Sequence, residues 1–171
     1  CIRDRLVVDQ SQVKQLCAKH GIDLGAQRQP ILALCPGAEY GSSKRWPAEY
    51  YAQLAQQKLA DGWQVVLFGS PKERAQAETV LQQAPACIDL VGKTKLGEAI
   101  DVLSAADWVV CNDSGLMHIA SALGRRVIAF YGATPADLAP PLTDQAYRLE
   151  VNHLPCRPCF KRECPLQHHK C

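Results

Sequence analysis

Apolar residues fall along the chain in short blocks separated by segments with helical spacing. The blocks are ILALC (31–35), QVVLF (64–68), CIDLV (87–91), WVVC (108–111) and VIAFY (127–131). Each is too short for a helix and is followed by Gly, Pro or a polar turn, which predicts buried strands. The intervening segments recur at three- and four-residue spacing and predict helices. One opens at Ser11 and stops at Gly21. A second starts at Pro47, runs to about Ala60 and has Gly62 at its end; a third covers Lys72 to Gln83. A fourth is LGEAIDVLSAA (96–106), and a fifth follows NDSG and stops at Gly124. Beyond Gly132 the pattern lapses into the proline-rich ATPADLAPPLTD, an edge-strand candidate YRLEV and a cysteine-rich tail. Strands that are apolar on both faces and alternate with helices predict an α/β fold with a doubly wound parallel sheet.

In such sheets ligands bind beyond the carboxyl ends of the strands. Here those ends read PGAEYGSSK, GSPKE, GKTK, NDSG and GATP. Gly alone is ordinary turn chemistry. Gly with small polar or charged residues in every loop points to one ligand with several polar groups. Lys44 follows Gly41-Ser42-Ser43 just before a helix start, which suits a phosphate. The spacing is not that of a P-loop, and no strand leads into G-x-G-x-x-G. Asp113-Ser114-Gly115 sits where orphan N–H groups attract an anion. The plain alternative is that Asp113 or Ser114 only caps the helix. Asp113 would repel a diphosphate but accept well from sugar hydroxyls. His118, four residues after Ser114, lies on the same helix face and is either a ligand contact or a structural histidine. Together these residues describe a nucleotide-sugar site.

Charge and composition narrow the class. The 171 residues carry a formal net charge of +2, with no basic block able to track a phosphate backbone, which argues against a nucleic-acid partner. No apolar run reaches the roughly 18 residues that span a bilayer, and no signal peptide opens the chain. There are nine cysteines. Cys1, Cys17, Cys35, Cys87 and Cys111 are scattered, several within apolar runs, and read as small buried hydrophobes in a reducing, cytosolic protein. Cys156, Cys159, Cys164 and Cys171 crowd the tail with His168 and His169. Bound zinc or another metal, disulfides and free thiols are all open there, since the spacing matches no standard zinc finger.

The stretches CPGAEYGSSKRWP (35–47), VVLFGSPKE (65–73), LVGKTKLGEAI (90–100), NDSGLMHIASAL (112–123) and FYGATPADLAPPL (130–142) resemble, in order and spacing, the ADP-heptose:lipopolysaccharide heptosyltransferases. The resemblance implies a GT-B fold, two Rossmann-like domains across a cleft, of which this chain is the C-terminal, donor-binding half. Residues 1–29 would end the other half and the interdomain linker, 30–150 would form the donor domain, and 151–171 the cysteine tail. It further implies that Glu39, Tyr40 and Lys44 line the donor loop, with Lys44 on the diphosphate. Asp113, Ser114, Gly115 and His118 would contact diphosphate and heptose, and Glu73 and Thr94 would lie near ribose and adenine.

The reaction implied is inverting transfer of L-glycero-D-manno-heptose from ADP-heptose to the lipopolysaccharide inner core, in the cytoplasm or at the cytoplasmic face of the inner membrane, with no metal required. The general base and the acceptor site would lie in the other half, so this chain alone would be inactive. Two competing classes are a GT-B sugar-nucleotide epimerase domain and a metal-stapled interaction module built on the tail.

Overall fold

The computed structural model describes residues 6–171; Cys1 lies outside the described residues. The elements are α1 (Gln10–Lys19), β1 (Ile31–Cys35), α2 (Ala48–Ala60), β2 (Gln64–Leu67), α3 (Arg74–Gln83), β3 (Ile88–Asp89), α4 (Leu96–Leu103), β4 (Trp108–Asn112), α5 (Gly115–Ala122), β5 (Arg126–Tyr131) and β6 (Ala146–Glu150). Six parallel strands run in the order β3-β2-β1-β4-β5-β6. This is the Rossmann order, with its switch point between β1 and β4.

Strand alternation sorts the core into two layers. Ile31, Ala33, Cys35, Val109, Cys111, Val127 and Ala129 pack with Val13, Leu16 and Cys17 of α1, with Val102 and Leu103 of α4, and with Met117 and Ala120 of α5. Leu32, Leu34, Val65, Leu67 and Val110 face the opposite way, onto Tyr51, Ala52 and Ala55 of α2 and Ala77 and Val80 of α3. Helix α1 therefore shares the sheet's own core. At the amino-terminal edge Asp107 joins β1 to β4. It accepts a forked pair from Arg28 at 2.6 and 2.9 Å and the Ile31 N–H at 2.8 Å.

Two elements are shorter than their apolar patterns. The third strand is reduced to Ile88–Asp89, paired only with β2. The Asp89 side chain at its end pairs with Arg74 and Lys93 (2.8 and 2.7 Å), and past it the Leu90 and Gly92 N–H groups still donate to the carbonyls of Leu67 and Gly69. Helix α4 stops at Leu103, where the Ser104 hydroxyl bonds back to the Asp101 carbonyl at 2.6 Å. Short 3-10 turns occupy Ser42–Lys44 and Pro71–Glu73 inside the ligand-edge loops. Gly62 and Gly124 end their helices with φ of 81° and 68°, a conformation that costs a β-carbon-bearing residue energy. No described helix is long and apolar enough to cross a membrane.

Candidate functional site: a switch-point cleft and a buried ion pair

Asn112, the last residue of β4, organises the switch point. It is fully buried. Its Oδ1 accepts from the Trp46 N–H at 2.8 Å and the Tyr51 hydroxyl at 3.1 Å. Its Nδ2 donates to the carbonyls of Pro36 and Gly37, both at 3.0 Å. An amide has two lone pairs and two N–H bonds, and here all four are used. Asn112 thereby binds both ends of the 36–46 loop to the end of β4.

That loop delivers Lys44. Its Nζ lies 2.6 Å from Asp113 Oδ2, with both side chains largely buried. The Thr134 hydroxyl donates to the same Asp113 oxygen at 2.8 Å. The ring of Tyr40 lies beneath the ammonium, 4.9 Å from its centroid, and the Tyr40 hydroxyl donates to the Phe160 carbonyl at 2.8 Å. Asp113 is thus a partner for lysine and threonine and makes no helix cap. Ser114 takes the N-cap position of α5, yet its side chain makes no capping bond. Its hydroxyl oxygen is buried with no hydrogen-bond partner.

Ser114 and Gly115 line a cleft of about 460 Å³ together with Glu39, Glu73, Thr94 and Leu96. Glu73 is fixed there by accepting the Ser70 N–H at 2.6 Å, and its carboxylate occupies the space a β-carbon on Gly37 would need. Glu39, mostly exposed, pairs with Lys72 at 2.7 Å. That hydrogen bond, reinforced by the lysine's charge, holds its carboxyl below the usual range. Cys35 also lines the cleft, but burial pushes its thiol well above the ordinary range, so it stays protonated and is no nucleophile.

The nine residues picked from the sequence are therefore arranged in three groups. Glu39, Glu73, Thr94, Ser114 and Gly115 line the cleft. Tyr40, Lys44 and Asp113 form the ion-paired cluster beside it. His118 sits exposed on α5 and lines neither this cleft nor the separate cavity of about 560 Å³ that Lys44 lines. Sequence reasoning assigns no role to Asn112 and overlooks Thr134. Asn112 stands inside the NDSG motif; Thr134 has no signal beyond its place after a strand.

The tail is not a separate unit. The Ser43 N–H donates to the Arg162 carbonyl at 3.1 Å, and the N–H groups of Cys159 and Phe160 both donate to the Ala133 carbonyl, each at 3.1 Å. Cys156, Cys159, Cys164, Cys171 and His168 line a cavity of about 20 Å³ that also touches Ser43 and Ala133. All four are free thiols. Among the described residues no three Cys, His, Asp or Glu side chains are grouped as a metal ion needs. Cys156 Sγ lies 3.6 Å from His168 Nε2 in that cavity.

A Rossmann-ordered sheet places its clefts beyond the carboxyl ends of the strands, where open α/β folds bind ligands, and here a cleft with apolar walls and a few polar groups lies at that edge beside a helix N-terminus. The model of glycosyltransferase family 9 (heptosyltransferase) matches residues 3–170, and the chain belongs to this family. It is 47% identical over 123 residues to lipooligosaccharide heptosyltransferase 2 of Haemophilus influenzae, covering 69% of this chain and 36% of that protein. It is 39% identical over 147 residues to lipopolysaccharide heptosyltransferase 2 of Escherichia coli K12, covering 83% and 41%. The solved structure of the E. coli ADP-heptose lipopolysaccharide heptosyltransferase II superposes with a TM-score of 0.79 at 38% identity, over 86% of this chain and 45% of that one. The chain thus spans about four-tenths of the length of these relatives, and its fold matches part of a GT-B heptosyltransferase.

Proposed function

We propose that this chain is the donor-binding half of an inverting heptosyltransferase that moves L-glycero-D-manno-heptose from ADP-heptose to the lipopolysaccharide inner core, at the cytoplasmic side of the inner membrane. The observation that carries the reading is the N-terminus of α5, where Ser114 and Gly115 line the cleft and the Ser114 hydroxyl has no protein partner, next in sequence to Asp113 and its Lys44 partner. A buried polar atom without a partner is costly, and an incoming phosphate oxygen would satisfy it. The nucleoside would lie along Glu73 and Thr94. The diphosphate would meet the N–H groups of Ser114 and Gly115 and the Lys44 ammonium. His118 would approach from one turn along α5.

Asp113 does two jobs in this reading. It aims Lys44, and its remaining acceptor capacity is offered to heptose hydroxyls. An ionised carboxylate accepts about four hydrogen bonds, and Lys44 and Thr134 use two of them. When the glycosidic bond breaks, negative charge grows on the departing ADP. Lys44 and the helix N–H groups stabilise it there without a metal ion. The base that deprotonates the acceptor hydroxyl would belong to the other half of the protein, as would the lipopolysaccharide-binding surface.

Calorimetry on the full-length protein tests the reading. Lys44→Ala and Asp113→Ala should each weaken ADP-heptose, and ADP alone should suffer more from the loss of Lys44. Unchanged ADP-heptose affinity in Asp113→Ala would return that residue to a purely structural role, and a preference for UDP over ADP would favour the epimerase class. The 171-residue chain by itself should bind donor weakly and transfer nothing; robust transfer would defeat the division of labour.

A further inference from the structure

Arg157 is the most heavily bonded side chain of the tail, and it lies outside the donor cleft. Its side chain is only 5% exposed. It donates to the carbonyls of Gly132, Tyr131 and Thr134 at 2.5, 3.2 and 2.9 Å. It also donates to the Val151 carbonyl and the Asn152 side chain at 3.4 and 3.1 Å, and pairs with Glu150 at 2.7 Å. Three of these acceptors belong to one segment, 131–134, the last residue of β5 and the loop after it. That loop carries the Thr134 hydroxyl bonded to Asp113, which holds Lys44.

A second set of bonds closes the circuit. The Ala133 N–H donates to the Ser43 carbonyl at 3.1 Å, beside Gly132, whose missing side chain leaves room for that carbonyl. The Ser43 hydroxyl donates to the Lys161 carbonyl. Tyr40 reaches Phe160 and stacks against the Arg162 guanidinium, 5.1 Å from the ring centroid. The loop after β5, the Lys44 loop and tail residues 157–162 are thus mutually bonded, and Arg157 is the side chain that ties the tail into them.

We propose that Arg157 is a positioning residue for the Lys44–Asp113 pair, with tail residues 157–162 clamping the Lys44 loop in its donor-competent place. The inference rests on the donor-site reading above. A planar guanidinium suits this role because its five fixed donors can hold several carbonyls at once, whereas a lysine ammonium has three donors on a flexible stem. Displacing the 131–134 segment moves Thr134 off Asp113 and lets Lys44 swing. Small misplacements of a charge-stabilising group are costly for binding and rate.

The test uses the full-length heptosyltransferase that contains this chain, titrated with ADP-heptose. If the wild type does not bind ADP-heptose, the donor reading itself fails, whatever Arg157 does. Given binding, folded Arg157→Lys should weaken ADP-heptose about tenfold. In a Lys44→Ala background the same substitution should cost under about twofold, because there is no ammonium left to misplace. Equal losses in both backgrounds, or unchanged affinity in Arg157→Lys, would overturn the proposal. A lower melting temperature with unchanged donor affinity would do the same, since that is the mark of a merely structural residue. If Arg157→Lys does not fold, Ser43→Ala decides. It removes only the hydroxyl bond from the Lys44 loop to the tail and should weaken ADP-heptose about threefold, again only when Lys44 is present. Additive behaviour in that pair would overturn the clamp.

Discussion

Cys111 and Cys164 carry the same thiol in two regions held together by different means. Cys111 lies in β4, fully buried, between ladders to β1 and β5. Every residue there repeats the same bonds as its neighbours, so no single side chain is indispensable to the backbone. Cys164 lies in a tail of 21 residues, 151–171, with no helix or strand. There the backbone is held by scattered bonds to loops distant in sequence, many of them through Arg157. A sheet spreads its stability over area; the tail concentrates it in a few polar contacts. The comparison predicts that apolar truncation should hurt the sheet and spare the tail.

The largest effect should come from Leu34→Ala. Leu34 is fully buried between β2 and β4, and such a truncation costs about 2–5 kcal/mol. Leu166→Ala removes the same atoms from a tail residue that is 60% exposed, and should cost less than about 0.5 kcal/mol. Urea unfolding of the two variants measures both. Equal destabilisation would show that the tail has an apolar core of its own and would break the contrast.

Thiol labelling sharpens it next. Burial pushes the Cys87 thiol up to about 11. Backbone N–H groups, His169 first and then Leu166, His168 and Gln167, hold Cys164 below the ordinary thiol value despite some desolvation. At pH 8 Cys87 should be almost wholly protonated, while Cys164 carries a larger share of the reactive thiolate. Iodoacetamide followed by peptide mapping should find Cys164 alkylated long before Cys87 in the native protein. Comparable rates would mean that the sheet opens as readily as the tail.

Lys44 stands where the two regions meet, and its loss should fall between these extremes in size. Lys44→Ala should weaken ADP-heptose about tenfold or more, near 1.4 kcal/mol, and should also lower the unfolding free energy, because it leaves the buried Asp113 carboxylate without its cation. A large stability loss with unchanged donor affinity would reassign the Lys44–Asp113 pair to holding the fold. The pair is largely buried, and removing one partner leaves Asp113 with Thr134 alone, so the paired control is Lys44→Met with Asp113→Asn.

The same contrast explains what could be foreseen. The strand blocks, the ligand edge and the NDSG junction follow from periodicity and from Gly and Pro punctuation, because each is encoded within a few consecutive residues. The edge-strand reading of YRLEV survives as β6, paired in parallel with β5. The strand read over CIDLV is reduced to Ile88–Asp89 at the edge of the sheet, where it has a neighbour on one side only. Thr134 and Arg157 are illegible for a different reason. Their roles exist only through carbonyls and carboxylates brought together from distant segments, as in the bond from Tyr40 to Phe160 across 120 positions. Sequence alone groups helix α1 with the linker; the core contacts of Val13, Leu16 and Cys17 arise only once α4 is in place.

The smallest effect expected is on acid stability, and it separates the two regions through proton linkage. At the amino-terminal edge of the sheet, just before β4, the Arg28 hydrogen bonds and the Ile31 N–H hold Asp107 below its usual range, outweighing partial burial. At the last residue of β6, where the tail leaves the sheet, the Arg157 hydrogen bond does the same for Glu150. A carboxyl depressed on folding contributes stability that is complete above its unfolded value, near 4, and is lost as pH falls through the lower folded value. Both groups are partly exposed, so each contribution is discounted by solvent screening. Asp107→Asn should flatten the acid limb of global unfolding below about pH 4. Glu150→Gln should leave that limb nearly unchanged and instead raise Cys164 labelling at neutral pH, because Arg157 loses its charged partner while the sheet keeps its ladders. If Glu150→Gln flattened the global limb as much as Asp107→Asn, tail and sheet would unfold as one cooperative unit, and the division between them would not hold.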